Sequence, residues 1–358
     1  KGAVEYNIDL FNKQRIQRFI EHYKQVLRAF LKDPQQRVSE LPLLTETEQQ
    51  LLQGFNDTAR ALPQDLYAHQ LFEEQAGKTP EAVALVHEDG QLSYAELNGR
   101  ANQLAHYLRR NGVGVETVVG VCLPRGVNQL VALLAVLKSG AAYLPLEPGY
   151  TAERLAAMIE ETGATLVLTE AGLSLPPAVR QLVLETVQSE LAQLPTSDSQ
   201  LDIAPDSLAY LTHGIAITHA GLLAAVQSST EMLGLTASDR VLELSSPARD
   251  AHLLTVFATL LRGATLTLSA KEANVLSAPV ARFLELRREA DLSGLSTVIL
   301  YGDSISPRLA ESFPAKRFLH VRELPGATVF HLSCEYQHAE QWPMLIPYER
   351  GSQVGFYV

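Results

Sequence analysis

Three short stretches of the chain hold side chains able to do chemistry. Arg249 and Asp250 stand side by side ahead of an apolar helical run, an arrangement that makes a local ion pair or caps the helix that follows. Thr212, His213 and Gly214 form a short turn with a hydroxyl and an imidazole that could meet an anion, although a lone histidine in such a place reads more simply as a solvated turn residue. Arg322 and Glu323 follow an apolar run, where Glu323 reads as a surface glutamate. Cys122 and Cys334 are the two cysteines of the chain. They lie far apart and in no metal-like spacing, so neither a disulfide framework nor a zinc site is supported. No residue is marked as catalytic by its type and spacing, and none as a metal ligand.

The elements that must position these residues follow from hydrophobic periodicity. Arg15 to Leu31 carries Ile16, Phe19, Ile20, Tyr23, Val26, Leu27 and Phe30 at helical spacing, which predicts one amphipathic helix. Asp33 and Pro34 stop it, and Gln35 to Gln64 behaves as a linker with a short capped helix at Thr45 to Leu52. From Tyr67 onward strand and helix alternate. Ala82–His87, Thr117–Cys122, Thr165–Thr169, Val241–Leu244, Thr265–Leu268, Thr297–Tyr301 and Phe318–Val321 read as strands; Tyr94–Arg110 and Val127–Ser139 read as helices. Such alternation predicts an α/β fold with parallel sheets covered by helices. Gln188 to Ser207 is polar enough to be a surface excursion.

Composition bounds the function. At 358 residues, 46% hydrophobic and 19% charged, the chain is long enough for two or three domain-sized units. The net charge of -11, from 29 basic and 40 acidic residues, excludes a nucleic-acid surface, which needs clustered Lys and Arg. The longest apolar run, Leu130 to Leu137, falls far short of the roughly 20 residues a membrane span requires. No signal-peptide layout is present, so the expected location is cytoplasmic, with no membrane partner. The chain opens at Lys1 without a methionine and closes at Val358 on an apolar stretch, and is expected to be a fragment.

Leu137 to Pro148, L-K-S-G-A-A-Y-L-P-L-E-P, reads as a helix ending at Gly140, a small-residue turn and a Pro-bounded strand. It closely resembles the second core motif of the adenylation domains of nonribosomal peptide synthetases, which belong to the AMP-binding family that activates acyl groups as acyl-adenylates. Leu92 to Asn98, L-S-Y-A-E-L-N, is similar to the start of the same domains, and Gly214 to Gly221, G-I-A-I-T-H-A-G, to the segment after their phosphate loop. Val4 to Leu52 resembles the C-terminal tail of a condensation domain and its linker. The resemblance implies residues 1–34 as that tail, 35–66 as linker and 67–358 as a truncated adenylation core. It also implies a core of layered β-sheets sandwiching helices, a smaller third sheet that is incomplete, and no small C-terminal subdomain. The implied partners are condensation and carrier domains and an inserted tailoring domain such as a methyltransferase.

Measured against that family, the chain departs where nucleotide would sit. The Gly-, Ser- and Thr-rich phosphate loop should lie between Tyr210 and Gly214, yet only Leu211, Thr212 and His213 separate them. On the five positions of the family's Y-G-P-T-E motif stand Arg322, Glu323, Leu324, Pro325 and Gly326, and Gly326 replaces a carboxylate that helps to hold magnesium. Asp250 keeps the position that pairs with a substrate ammonium, but Arg249 stands for the usual Phe and Leu254 for the usual Trp. By the same alignment Ala251, Leu254, Tyr301, Val321, Val329 and Phe330 line what remains of the acyl pocket. The expectation is a degenerate, non-adenylating domain that needs no cofactor. The alternatives are the core of an active amino-acid or keto-acid adenylating enzyme, with ATP and Mg, and a non-catalytic acyl-binding module.

Overall fold

The computed structural model describes residues 2–56, 66–88, 90–173, 175, 179–199, 201–212, 214–302, 317–323 and 331–335. The chain divides into two compact units, Lys1–Ala59 and Arg60–Val358.

In the first unit, α1 (Lys13–Lys32) is opened by Asn12, whose side chain accepts from the Arg15 backbone N–H. α2 (Glu46–Asn56) opens on a reciprocal cap. Thr45 N–H donates to Glu48 Oε2 at 2.9 Å, and Glu48 N–H to Thr45 Oγ1 at 3.3 Å. His22 of α1 meets the same carboxylate at 2.8 Å. The Thr45 backbone N–H, burial notwithstanding, holds the Glu48 carboxyl down at about 2, with His22 adding to the effect. The single apolar stripe expected on α1 is split. Ile16, Ile20 and Val26 are half-buried, while Phe19, Tyr23, Leu27 and Phe30 are exposed.

The second unit runs α3 (Ala68–Lys78), β1 (Val83–His87), β2 (Gly90–Ser93), α4 (Tyr94–Arg110), β3 (Val118–Cys122), α5 (Val127–Lys138), β4 (Ala142–Pro145), α6 (Ala152–Thr162), β5 (Leu166–Thr169), β6 (Arg180–Val183) and α7 (Leu184–Leu191). It continues through β7 (Leu208–Thr212), β8 (Ile215–Thr218), α8 (His219–Leu233), β9 (Arg240–Glu243), α9 (Asp250–Leu261), β10 (Thr265–Thr267), β11 (Val275–Pro279), α10 (Val280–Glu289), β12 (Thr297–Tyr301), β13 (Arg317–Glu323) and β14 (His331–Glu335). Two mostly parallel sheets result, in the orders β14-β13-β12-β11-β9-β10-β1-β2 and β6-β5-β3-β4-β7-β8. The antiparallel pairs are β1 with β2, β13 with β14, and β7 with β8.

Period-2 alternation sorts the strand residues into layers. Ile299 and Tyr301 of β12 enter the large cluster between the sheets, whereas Val298 and Leu300 face the outer cluster that includes Phe283 of α10. Val119 and Val121 of β3 face the same large cluster, and Val118 and Cys122 the outer one with Leu155 and Ile159 of α6. Helices α5 and α9 are apolar on all sides and buried nearly throughout, as a middle layer between two sheets requires. Gly140 ends α5 at φ 80°, a left-handed turn that lets the Ala141 N–H reach back to the Val136 carbonyl. The third sheet expected toward the C-terminus lies where most residues are outside the described ones.

The polar excursion after α7 is tied down. Asn98 and Asn102 of α4 both donate to Asp198 Oδ1, at 2.9 and 2.8 Å, and Asn102 also to the Thr196 carbonyl. Lys138, buried at the end of α5, lies between Asp198 and Glu73.

Candidate functional site

The turn singled out for its hydroxyl and imidazole joins two paired strands. The β7–β8 ladder pairs Leu211 with Ala216 and Thr212 with Ile215, so His213 and Gly214 alone connect them. Gly214 has φ 78°, where a side chain would be strained. Thr212 is buried. His213 lies outside the described residues.

Asp250 is the first residue of α9 and not its cap; Arg249 holds the cap position, without a side-chain cap bond. The carboxylate still suits the positive end of the helix. Tyr210 Oη donates to Asp250 Oδ1 at 2.9 Å. Burial pushes the Tyr210 phenol well above its ordinary value, and the Asp250 charge adds to that, so it stays a donor. Its ring stacks on Tyr143 of β4, with centroids 5.9 Å apart. Asp250 itself is half-buried and Arg249 exposed.

Ala251, Leu254, Tyr301 and Val321 are brought together in the large apolar cluster. Tyr301 and Val321 are register partners on β12 and β13. Beside them, Thr255 Oγ1 lies 2.8 Å from Tyr301 Oη and 3.1 Å from Ser277 Oγ. Arg322 lies within β13. Gly326, Val329 and Phe330 lie outside the described residues. Ser246, in the loop from β9 to α9, donates to Glu147 of the L-E-P turn, joining the two sequence segments.

Sequence reasoning passed over Tyr210, Thr255 and Ser277. A signal for each was present: a hydroxyl inside an apolar run must find a partner when buried, and these found one another or Asp250. Among the described residues, no group of three or more His, Cys, Asp or Glu side chains could hold a metal ion, and no helix is long and apolar enough to cross a membrane.

The model of the AMP-binding enzyme family matches residues 72–342. The chain belongs to that family. The condensation domain model matches residues 3–53. A linear gramicidin synthase of Brevibacillus parabrevis is 35% identical over 341 residues, covering 88% of this chain and 4% of that protein. Chondramide synthase cmdD of Chondromyces crocatus is 35% identical over 338 residues, covering 90% of this chain and 8% of that protein. This AMP-binding chain thus spans under a tenth of either relative. Among solved structures, the nonribosomal peptide synthetase FmoA3 in its AMPPNP-bound form superposes with a TM-score of 0.79 at 26% identity, covering 94% of this chain and 40% of that one. The expected α/β architecture of layered sheets around helices is therefore the fold of nonribosomal peptide synthetase adenylation domains.

Proposed function

We propose that the chain is a non-adenylating adenylation core of a nonribosomal peptide or hybrid synthetase. Residues 1–34 serve as a condensation-domain tail, 35–66 as linker and 67–358 as the core. It acts as a structural platform for neighbouring condensation and carrier domains and for an inserted tailoring domain such as a methyltransferase. The observation that carries this reading is the β7–β8 hairpin. Holding a triphosphate takes a loop with several backbone N–H groups converging on the phosphates. Strand pairing up to Thr212 and from Ile215 leaves two residues for that loop. On this reading a two-residue turn offers too few backbone N–H groups to hold ATP and its magnesium. Losing the loop leaves burial intact, and burial is what holds the fold, at roughly 25 cal/mol per Å².

The competing reading is a working core that joins ATP to an amino or keto acid as an acyl-AMP. Substrate-dependent pyrophosphate exchange separates the two: the platform reading expects none above background for any amino or keto acid, and clear exchange would overturn it. A third reading, an acyl-binding module, draws support from the bond of Tyr210 to Asp250, which leaves the second carboxylate oxygen for an ammonium. On that reading Asp250→Ala weakens binding of a small amine at least about tenfold. Equal affinity of variant and parent would remove it.

A further inference from the structure

A second polar cluster lies inside the same unit, apart from Asp250 and its neighbours. Glu243 at the end of β9 and His252 in the first turn of α9 are both buried, with Glu243 Oε2 2.5 Å from His252 Nδ1. The other carboxylate oxygen accepts from the Ser245 backbone N–H at 2.6 Å. Gln129, 1% exposed near the start of α5, sets its Nε2 3.1 Å from His252 Nε2 and 3.3 Å from Tyr143 Oη.

Donors and acceptors can be followed through this cluster. A carboxylate only accepts, so His252 donates from Nδ1, which leaves its Nε2 to accept from the Gln129 amide. The second amide N–H goes to the Tyr143 oxygen, and both amide donors are then used. The amide oxygen is not. Gln129 Oε1 is buried with no hydrogen-bond partner among the described residues, and a buried acceptor without a donor costs free energy unless something completes it.

Gln129 lines a cavity of about 20 Å³. Arg125 and Thr267 bring polar groups to the wall, whereas Leu85, Leu130 and Val256 make it apolar elsewhere. Size limits the occupant: a water needs about 10–15 Å³ of such space, so one water enters and an organic ligand does not. Charge limits it further. Arg125, whose guanidinium donates to the Glu243 carbonyl at 3.2 Å, opposes a cation, and the Glu243 side chain, also at the wall, opposes an anion. What remains is a small neutral molecule that can donate a hydrogen bond to Gln129 Oε1.

We propose that this cavity holds one water molecule as a fixed part of the fold, donating to Gln129 Oε1 and bridging it to the polar groups around it. The water completes the cluster that links α5 and β4 to the Glu243–His252 pair, and so ties the middle layer to the ends of strands from both sheets. Nothing in it depends on the nucleotide reading, since none of Thr212, Asp250 or Tyr301 is among the described residues lining the cavity.

The test is a crystal structure of the 358-residue chain, joined with oxygen-17 relaxation dispersion, which counts long-lived buried waters in solution. A water peak within about 2.7–3.2 Å of Gln129 Oε1 is expected. Val256→Ile adds one methylene to the wall and takes up the space, so the peak should go and the count of long-lived waters should fall by one. Gln129→Leu removes the acceptor and should do the same. Density in the parent with no peak at that position, or equal counts for the parent and Val256→Ile, would overturn the site. The density of the parent decides the matter even where Gln129→Leu fails to fold.

Discussion

Asp250 is the residue on which resemblance and geometry meet. Its carboxylate is neither a helix cap nor free: the buried Tyr210 phenol donates to one oxygen. A hydrogen bond to a charged acceptor contributes about 1.5–3 kcal/mol, and half-burial of Asp250 places this one at the low end. Tyr210→Phe is therefore expected to lower stability by about 1.5 kcal/mol in urea unfolding, with an unchanged denaturant slope. An unaltered midpoint would mean that Tyr210 does not hold Asp250. Asp250 was legible through the resemblance of its segment to a motif of the family. Tyr210 was not, because the contact spans forty positions and strand periodicity says only that the side chain faces inward.

At the scale of elements, the starts of α3 and α8 meet through two buried imidazoles. His69 and His219 pack edge to face with centroids 5.9 Å apart. Burial lowers both below the ordinary histidine range, His219 to about 4, and the His219 charge lowers His69 further. In the unfolded chain they take up protons near the usual value of about 6.5, before the folded protein does. The sign follows: stability is undiminished above about 6.5 and falls as pH drops toward 4, by about 1.4 kcal/mol per pH unit for each histidine. His219→Gln should flatten that slope by about one proton in urea midpoints taken between pH 7 and 4.5. Parallel slopes for the two proteins would contradict it. Element limits themselves were largely legible. The helix over Tyr94–Arg110 is the predicted one, because Ser93 and Glu96 form a reciprocal cap and Asn111 ends it. The pinning of the polar excursion was not legible, since Asn98, Asn102 and Lys138 reach Asp198 from far along the chain.

At the scale of the whole molecule, two sheets with a helical layer between them account for most of the buried surface. The motif at Leu137–Pro148 belongs to that framework. It supplies the end of α5, the left-handed Gly140 and β4, while its Glu147 meets Ser246. Packing segments of this kind were readable from sequence because periodicity reports burial. The hairpin at Thr212–Ile215 was readable as a shortening, but that the strands pair to the very end of the turn came from the ladder. The proposed platform function implies a framework kept without a phosphate cradle. Isothermal titration of the 358-residue chain with ATP and magnesium tests that implication most directly. No heat of binding up to millimolar nucleotide is expected, and a saturable isotherm in the micromolar range would contradict it.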